Sequence, residues 1–240
     1  MTNAMQLLQE GKVRAAQQEL SDWLRKNPAD TTQRTFLFEL LCFSGNWERA
    51  ERHLTILAEG DQHRRMGAIL YFSALNAEKM RHDMFARRAW PETRPARVPS
   101  GRINGRQFHS ICDADPVIGA RLEFFAAGSY AWLAFEHIAS IRMETPRRLR
   151  ETLWAPAAVR TKRSFHGAEL GEVLIPVLYP FSWQSPYESV WLGHETRFAE
   201  EDGRERPVGQ KMLLAGEEEI PLLEVRELEF DELAPVNGHA

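Results

Sequence analysis

The sequence predicts an α+β chain in which helical hairpins come first and a mostly antiparallel β module with short helices follows. Three observations carry that prediction: a 34-residue internal repeat in the first third, a proline- and glycine-rich break near residue 90, and a change beyond it to short apolar runs parted by turn residues. With 240 residues, 43% of them hydrophobic, the chain holds enough apolar material for a sizeable core.

The repeat is visible from spacing alone. Gly11, Val13, Ala16 and Leu20 recur 34 residues later as Gly45, Trp47, Ala50 and Leu54, and the register extends through Ala4, Phe38 and Phe72 and through Leu7, Leu41 and Leu75. Small residues at helix crossings, large apolar residues around them and Pro28 after the second helix make a tetratricopeptide-like pattern, in which each hairpin buries its apolar face against the next. The spacing predicts helices over 3–9, 12–26, 31–43, 46–59 and 62–88. The third unit departs from the repeat, with Met84 where a small residue is wanted and Arg81 and Arg88 where apolar ones are, so one long closing helix is expected in place of a third hairpin.

Residues 89–106 contain Pro91, Pro95, Pro99, Gly101 and Gly105, which stop the helix and predict a linker between a helical domain at 1–88 and an α+β domain at 107–232. Six arginines from Arg87 to Arg106 read as a solvated strip, and residues 233–240 as a flexible tail. Beyond the linker, RQFHSIC, ARLEFFAAG, SYAWLAF, GEVLIPVLY, SVWLGHETRF and PLLEVRELEF look like strands, with alternation at Glu188, Val190 and Leu192. Segments 135–142 and 146–153 have helical spacing and are expected as short helices packed on the sheet.

A formal net charge of −4 argues against a nucleic-acid backbone as the main partner. Two cysteines, Cys42 and Cys112, build neither a disulfide framework nor a zinc site. The N-terminus has no signal-peptide pattern and no window is apolar enough to span a membrane, so a cytoplasmic protein without membrane contact is expected. There is no G-x-S-x-G elbow, phosphate loop or H-E-x-x-H motif, and no cofactor is expected. The nearest approach to a catalytic constellation is His109 with Asp113 and Asp115, which share a strand face and suit a hard cation in a metal-assisted hydrolase. Asp115 before Pro116 is equally a turn former, and the structural reading is preferred.

Several separated motifs in the second half resemble the ImpE family: Asp113-Ala114-Asp115-Pro116 with Gly119, Gly128-x-Tyr130-x-Trp132, Glu136-x-Ile138, Leu174-x-Pro176-x-Leu178-Tyr179-Pro180 and Gly209-Gln210-Lys211. The resemblance implies a non-enzymatic accessory protein of type VI secretion that binds the N-terminal helix of the small contractile-sheath subunit, with links to the AAA+ unfoldase that recycles the sheath. A self-assembling scaffold of the same system is the alternative. A stacked-helix groove suits a helical ligand, and in this register its inner face holds Thr35, Glu39, Cys42, Phe43, Ile69, Ser73 and Asn76. The C-terminal module is an equal candidate for the partner surface. The motif residues Asp113, Asp115, Pro116, Trp132, Pro176 and Gln210 carry no assigned role.

Overall fold

The computed structural model describes residues 2–59, 62–91, 98–167, 169–201 and 203–232. Five helices open it: α1 (Ala4–Gln9), α2 (Val13–Lys26), α3 (Thr31–Phe43), α4 (Trp47–Ala58) and α5 (Gln62–Arg87). The repeat is written into two identical turns. After α1, Lys12 N donates to Leu7 O and Gly11 N to Leu8 O; after α3, Asn46 N donates to Leu41 O and Gly45 N to Cys42 O. Both are Schellman closures, and Gly11 and Gly45 take the left-handed conformation these need, with φ of 74° and 66°. Ala16 and Ala50 are fully buried at helix crossings, with Val13, Leu20, Leu37, Leu40 and Leu54 packed around them. As the decayed third unit predicts, α5 is one long helix.

The second half contains β1 (Gly101–Ile103), β2 (Arg106–Phe108), β3 (Ile111–Asp113), β4 (Arg121–Ala126), β5 (Ser129–Ala134), β6 (Ile138–Met143), β7 (Trp154–Thr161), β8 (Gly171–Pro176), a short helix α6 (Glu188–Trp191), β9 (Thr196–Glu201), β10 (Arg204–Gly209), β11 (Met212–Ala215), β12 (Glu218–Pro221) and β13 (Glu227–Phe230). Among the described residues, an antiparallel sheet runs β2-β1-β13-β6-β7-β8-β4-β5, a smaller one runs β12-β11-β3, and β9 and β10 form a hairpin. Ile141, Ile175 and Leu228 of the large sheet close with Leu213 of the small one around a common apolar core.

Four sequence expectations need correction. Segment 135–142 is a single 3-10 turn at Phe135–His137 leading into β6, and 146–153 yields only the 3-10 turn Leu149–Thr152. The Glu188–Leu192 alternation is not a strand: Val190, Trp191 and Leu192 are all buried, which a helical turn ended by Gly193 at φ 67° allows and a one-sided strand does not. Strand β7 was hidden by its composition, Trp-Ala-Pro-Ala-Ala-Val-Arg-Thr, since alanine and a central proline argue against strand. Residues 101–103, placed by sequence in the linker, are strand β1, paired with β13. The remainder of the arginine strip at Arg94 and Arg97, and the tail at 233–240, lie outside the described residues.

Candidate functional site

Asp113 and Asp115 build a turn. Asp115 N donates to Asp113 Oδ1 at 2.8 Å and Val117 N to Asp115 Oδ1 at 2.9 Å, two successive side-chain-to-backbone turns that return the chain toward β4. Gly119, at φ 60°, completes the bend and its N–H reaches Asp115 O. Pro116 is exposed at the corner.

Asp113 then reaches inward. Lys211 Nζ donates to its Oδ2 at 2.8 Å and the Tyr179 hydroxyl to its Oδ1 at 2.9 Å. Lys211 also pairs with Glu123, whose carboxylate receives Arg81 Nε at 2.9 Å and Nη2 at 3.2 Å. Arg81 continues to Glu78 at 3.0 Å and to Leu178 O at 2.9 Å, and Trp154 Nε1 donates to Glu78 at 2.8 Å. Tyr130 donates to Glu123 and receives the Trp132 indole N–H. Motif residues separated along the sequence thus converge on one buried network, which clamps α5 to the β module. Burial disfavours the charge on Glu123, but the facing Arg81 and Lys211 outweigh it and hold the carboxyl at about 2. Burial has the upper hand at Asp113 and pushes it up, against the pull of Lys211.

This arrangement accounts for other motif residues as well. Gln210 bridges Gly193 O and Leu223 N, Pro176 is buried behind α3, and Trp132 packs on Phe85 with ring centroids 6.1 Å apart. His109 is exposed, and the Asp113 carboxylate is already engaged by Lys211, Tyr179 and its own turn. Among the described residues no group of three or more His, Cys, Asp or Glu is placed to hold a metal ion.

The seven groove residues divide. Glu39, Cys42 and Phe43 are buried against the chain's own second half: Arg150 Nη1 meets Glu39 at 2.8 Å and Arg150 Cζ lies 4.8 Å from the centroid of the Tyr71 ring, while Cys42 and Phe43 face Leu153, Pro176 and Trp183. Burial raises the Glu39 carboxyl, against the pull of Arg150. Asn76 Nδ2 donates to Gly128 O at 2.9 Å, and Ser73 sits beside the same turn. The inner face of the helices is therefore the interface between the two halves, and a partner docked there would have to displace the β module.

Two of the hollows among the described residues are lined by α5. The wider, about 890 Å³, lies between α5 and the uncovered face of the large sheet; Leu70, Ser73 and Ala74 form its wall, Pro156, Ala158 and Leu174 its floor, and Arg142, Glu172 and Glu227 its rim. Small side chains on β7 make the depression. Ile69 and Met66 are 63% and 64% exposed along the same helix. The narrower hollow, about 210 Å³, lies between α3, α4 and α5 and includes Thr35. Sequence reasoning missed the network's Glu78, Arg81 and Glu123. Arg81 at an apolar register position and Glu123 inside an apolar run were the signals that mark paired buried charge.

Among the described residues no helix is long and apolar enough to cross a membrane. The chain is 28% identical to the type VI secretion system accessory component TagJ of Pseudomonas aeruginosa over 95% of its own length and 91% of that protein's. A crystal structure of a Vibrio parahaemolyticus protein shares its fold, with a TM-score of 0.84 at 21% identity over 97% of this chain and 98% of the other. The family described as ImpE protein matches residues 105–229, the stretch in which the converging motifs lie. This chain therefore belongs to the ImpE family.

Proposed function

We propose that the chain is a non-enzymatic cytoplasmic adaptor of a type VI secretion system, and that it seats the N-terminal helix of the small contractile-sheath subunit in the wide cleft beside α5, linking sheath to its AAA+ unfoldase. The observation that carries the docking mode is the cleft itself. Its floor is apolar, its rim is charged, and one wall is a helix with Leu70 half-exposed. That is the form in which a groove receives the apolar stripe of an amphipathic helix. The system is suggested by the likeness to TagJ, an accessory component by name, and by the family. The engagement of Asp113 by Lys211 and Tyr179 favours binding over metal-assisted hydrolysis.

Fluorescence anisotropy with a labelled peptide copying that sheath helix tests the proposal. Saturable binding is expected, absent for a scrambled peptide and weakened at least about tenfold, or 1.4 kcal/mol, by Leu70→Glu, which places a charge on the wall without touching the core. No binding at high micromolar peptide rejects the sheath contact.

A further inference from the structure

We propose that the narrow slot between α3, α4 and α5 is a second peptide site, which takes a large apolar side chain lying next to a carboxylate. Position on the helix separates it from the wide cleft. Gly67, Ala68 and Tyr71 line the slot, whereas Leu70, Ser73 and Ala74 line the cleft, so the two hollows share no lining residue of α5.

The slot's composition names its occupant. Its walls are largely apolar, with Phe38 and Leu57 facing Tyr71, and its volume of about 210 Å³ falls below the roughly 300 Å³ at which small-molecule pockets begin. A single large side chain of a peptide is the better match. At the slot's edge stands Arg150. Glu39 engages only its Nη1, and Cζ of the guanidinium lies 4.8 Å from the Tyr71 ring centroid, leaving Nε and Nη2 without partners among the described residues. Arg148, two residues away, is exposed, and its backbone N–H donates to Glu151 at 3.3 Å. A guanidinium with a fork of spare N–H donors beside an apolar slot complements an anionic group, and a carboxylate fits that fork through paired hydrogen bonds.

Gly67 is a second, independent observation. It lies within α5, where glycine costs about 1 kcal/mol relative to alanine. Its φ is not positive, and a Cβ built there meets nothing within 4 Å. Neither backbone strain nor close packing explains the glycine, whereas a side chain at that position would project into the slot's open space.

Selecting a random dodecapeptide library on the immobilised full chain tests the site without assuming the partner. The expected winners pair Leu, Ile, Met or Phe with Asp or Glu. In anisotropy titrations of a labelled winner, Gly67→Leu and Arg150→Gln should each weaken binding at least about tenfold, while Leu70→Glu leaves it unchanged. Gly67→Leu fills the slot at an exposed helix position and favours the helix, so its effect stands even where Arg150→Gln, which strips Glu39 of its partner, unfolds the chain. No enrichment, winners without acidic residues, or binding indifferent to Gly67→Leu overturns the proposal. Its failure is separable from that of the sheath contact. A sheath peptide sensitive to Leu70→Glu alone leaves the adaptor standing without this slot, and acidic winners beside a silent sheath peptide leave the slot standing alone.

Discussion

The helical half and its junction with the β module are held by opposite means. Inside the hairpins, burial of repeated alanines and leucines supplies cohesion, and the ends are closed by backbone turns. At the junction the central contacts are ionic: two cations, Arg81 and Lys211, stand among Glu78, Glu123 and Asp113, all nearly inaccessible to water. An apolar contact tolerates imprecision, but a buried ion requires its partner at hydrogen-bond distance. The junction therefore fixes one orientation of the two halves more sharply than the hairpins fix one another.

Removing a single cation gives the largest expected effect. Arg81→Leu leaves Glu78 without its guanidinium and Glu123 with Lys211 as its one remaining cation in the interior, and should cost about 3–5 kcal/mol in urea-unfolding experiments. A loss under about 1 kcal/mol would break the contrast, because the junction would then behave as an apolar one.

Gly45→Ala falls next. Left-handed backbone costs an alanine about 1–2 kcal/mol, and here the new Cβ would also sit 2.5 Å from the Trp183 ring, which packs on this turn from the second half. Gly11→Ala is the internal control, with the same kind of φ and nothing near its Cβ. Thermal melts should show Gly45→Ala as the more damaging of the two; equal losses would mean that Trp183 contributes nothing at the turn.

Acid separates the halves most gently. His53, in the helical half, is held to about 4 by burial together with Arg34, Arg49 and Arg52. An unfolded chain binds that proton more readily, so His53 contributes stability above its ordinary value of 6.5 that is lost as pH falls toward 4. Glu123, depressed to about 2, contributes stability above 4.5 that is lost between 4.5 and 2. In melting temperatures followed against pH, His53→Gln should flatten the upper limb and leave the lower one. A variant that flattens neither would show that His53 does not carry the first limb.

The same contrast explains what the sequence made legible. The hairpins were readable because period, glycine turn and alanine crossing all lie within one repeat, and the structure starts and ends the helices within about two residues of the expected positions. Strand β7 was not, because its identity comes from neighbours β6 and β8 that lie elsewhere in the sequence, while its own alanines and Pro156 point away from strand. Asp113 was readable as a turn residue, yet its ties to Lys211 and Tyr179 span 98 and 66 residues and leave no local mark. The inner-face register of the helices was legible too, but not the fact that the chain covers that face with its own Arg150 and Trp183.

The placement of Glu78 and Arg81 also bears on the chain as it leaves the ribosome. Helix α5 is complete before any strand of the β module has been made, so the face that will later close must wait in water. With Glu78 and Arg81 one helical turn apart and already matched to each other, the waiting face is wettable at its centre. The charges that demand a precise partner at the end of folding are the same ones that keep the unfinished half from sticking to its neighbours on the way there.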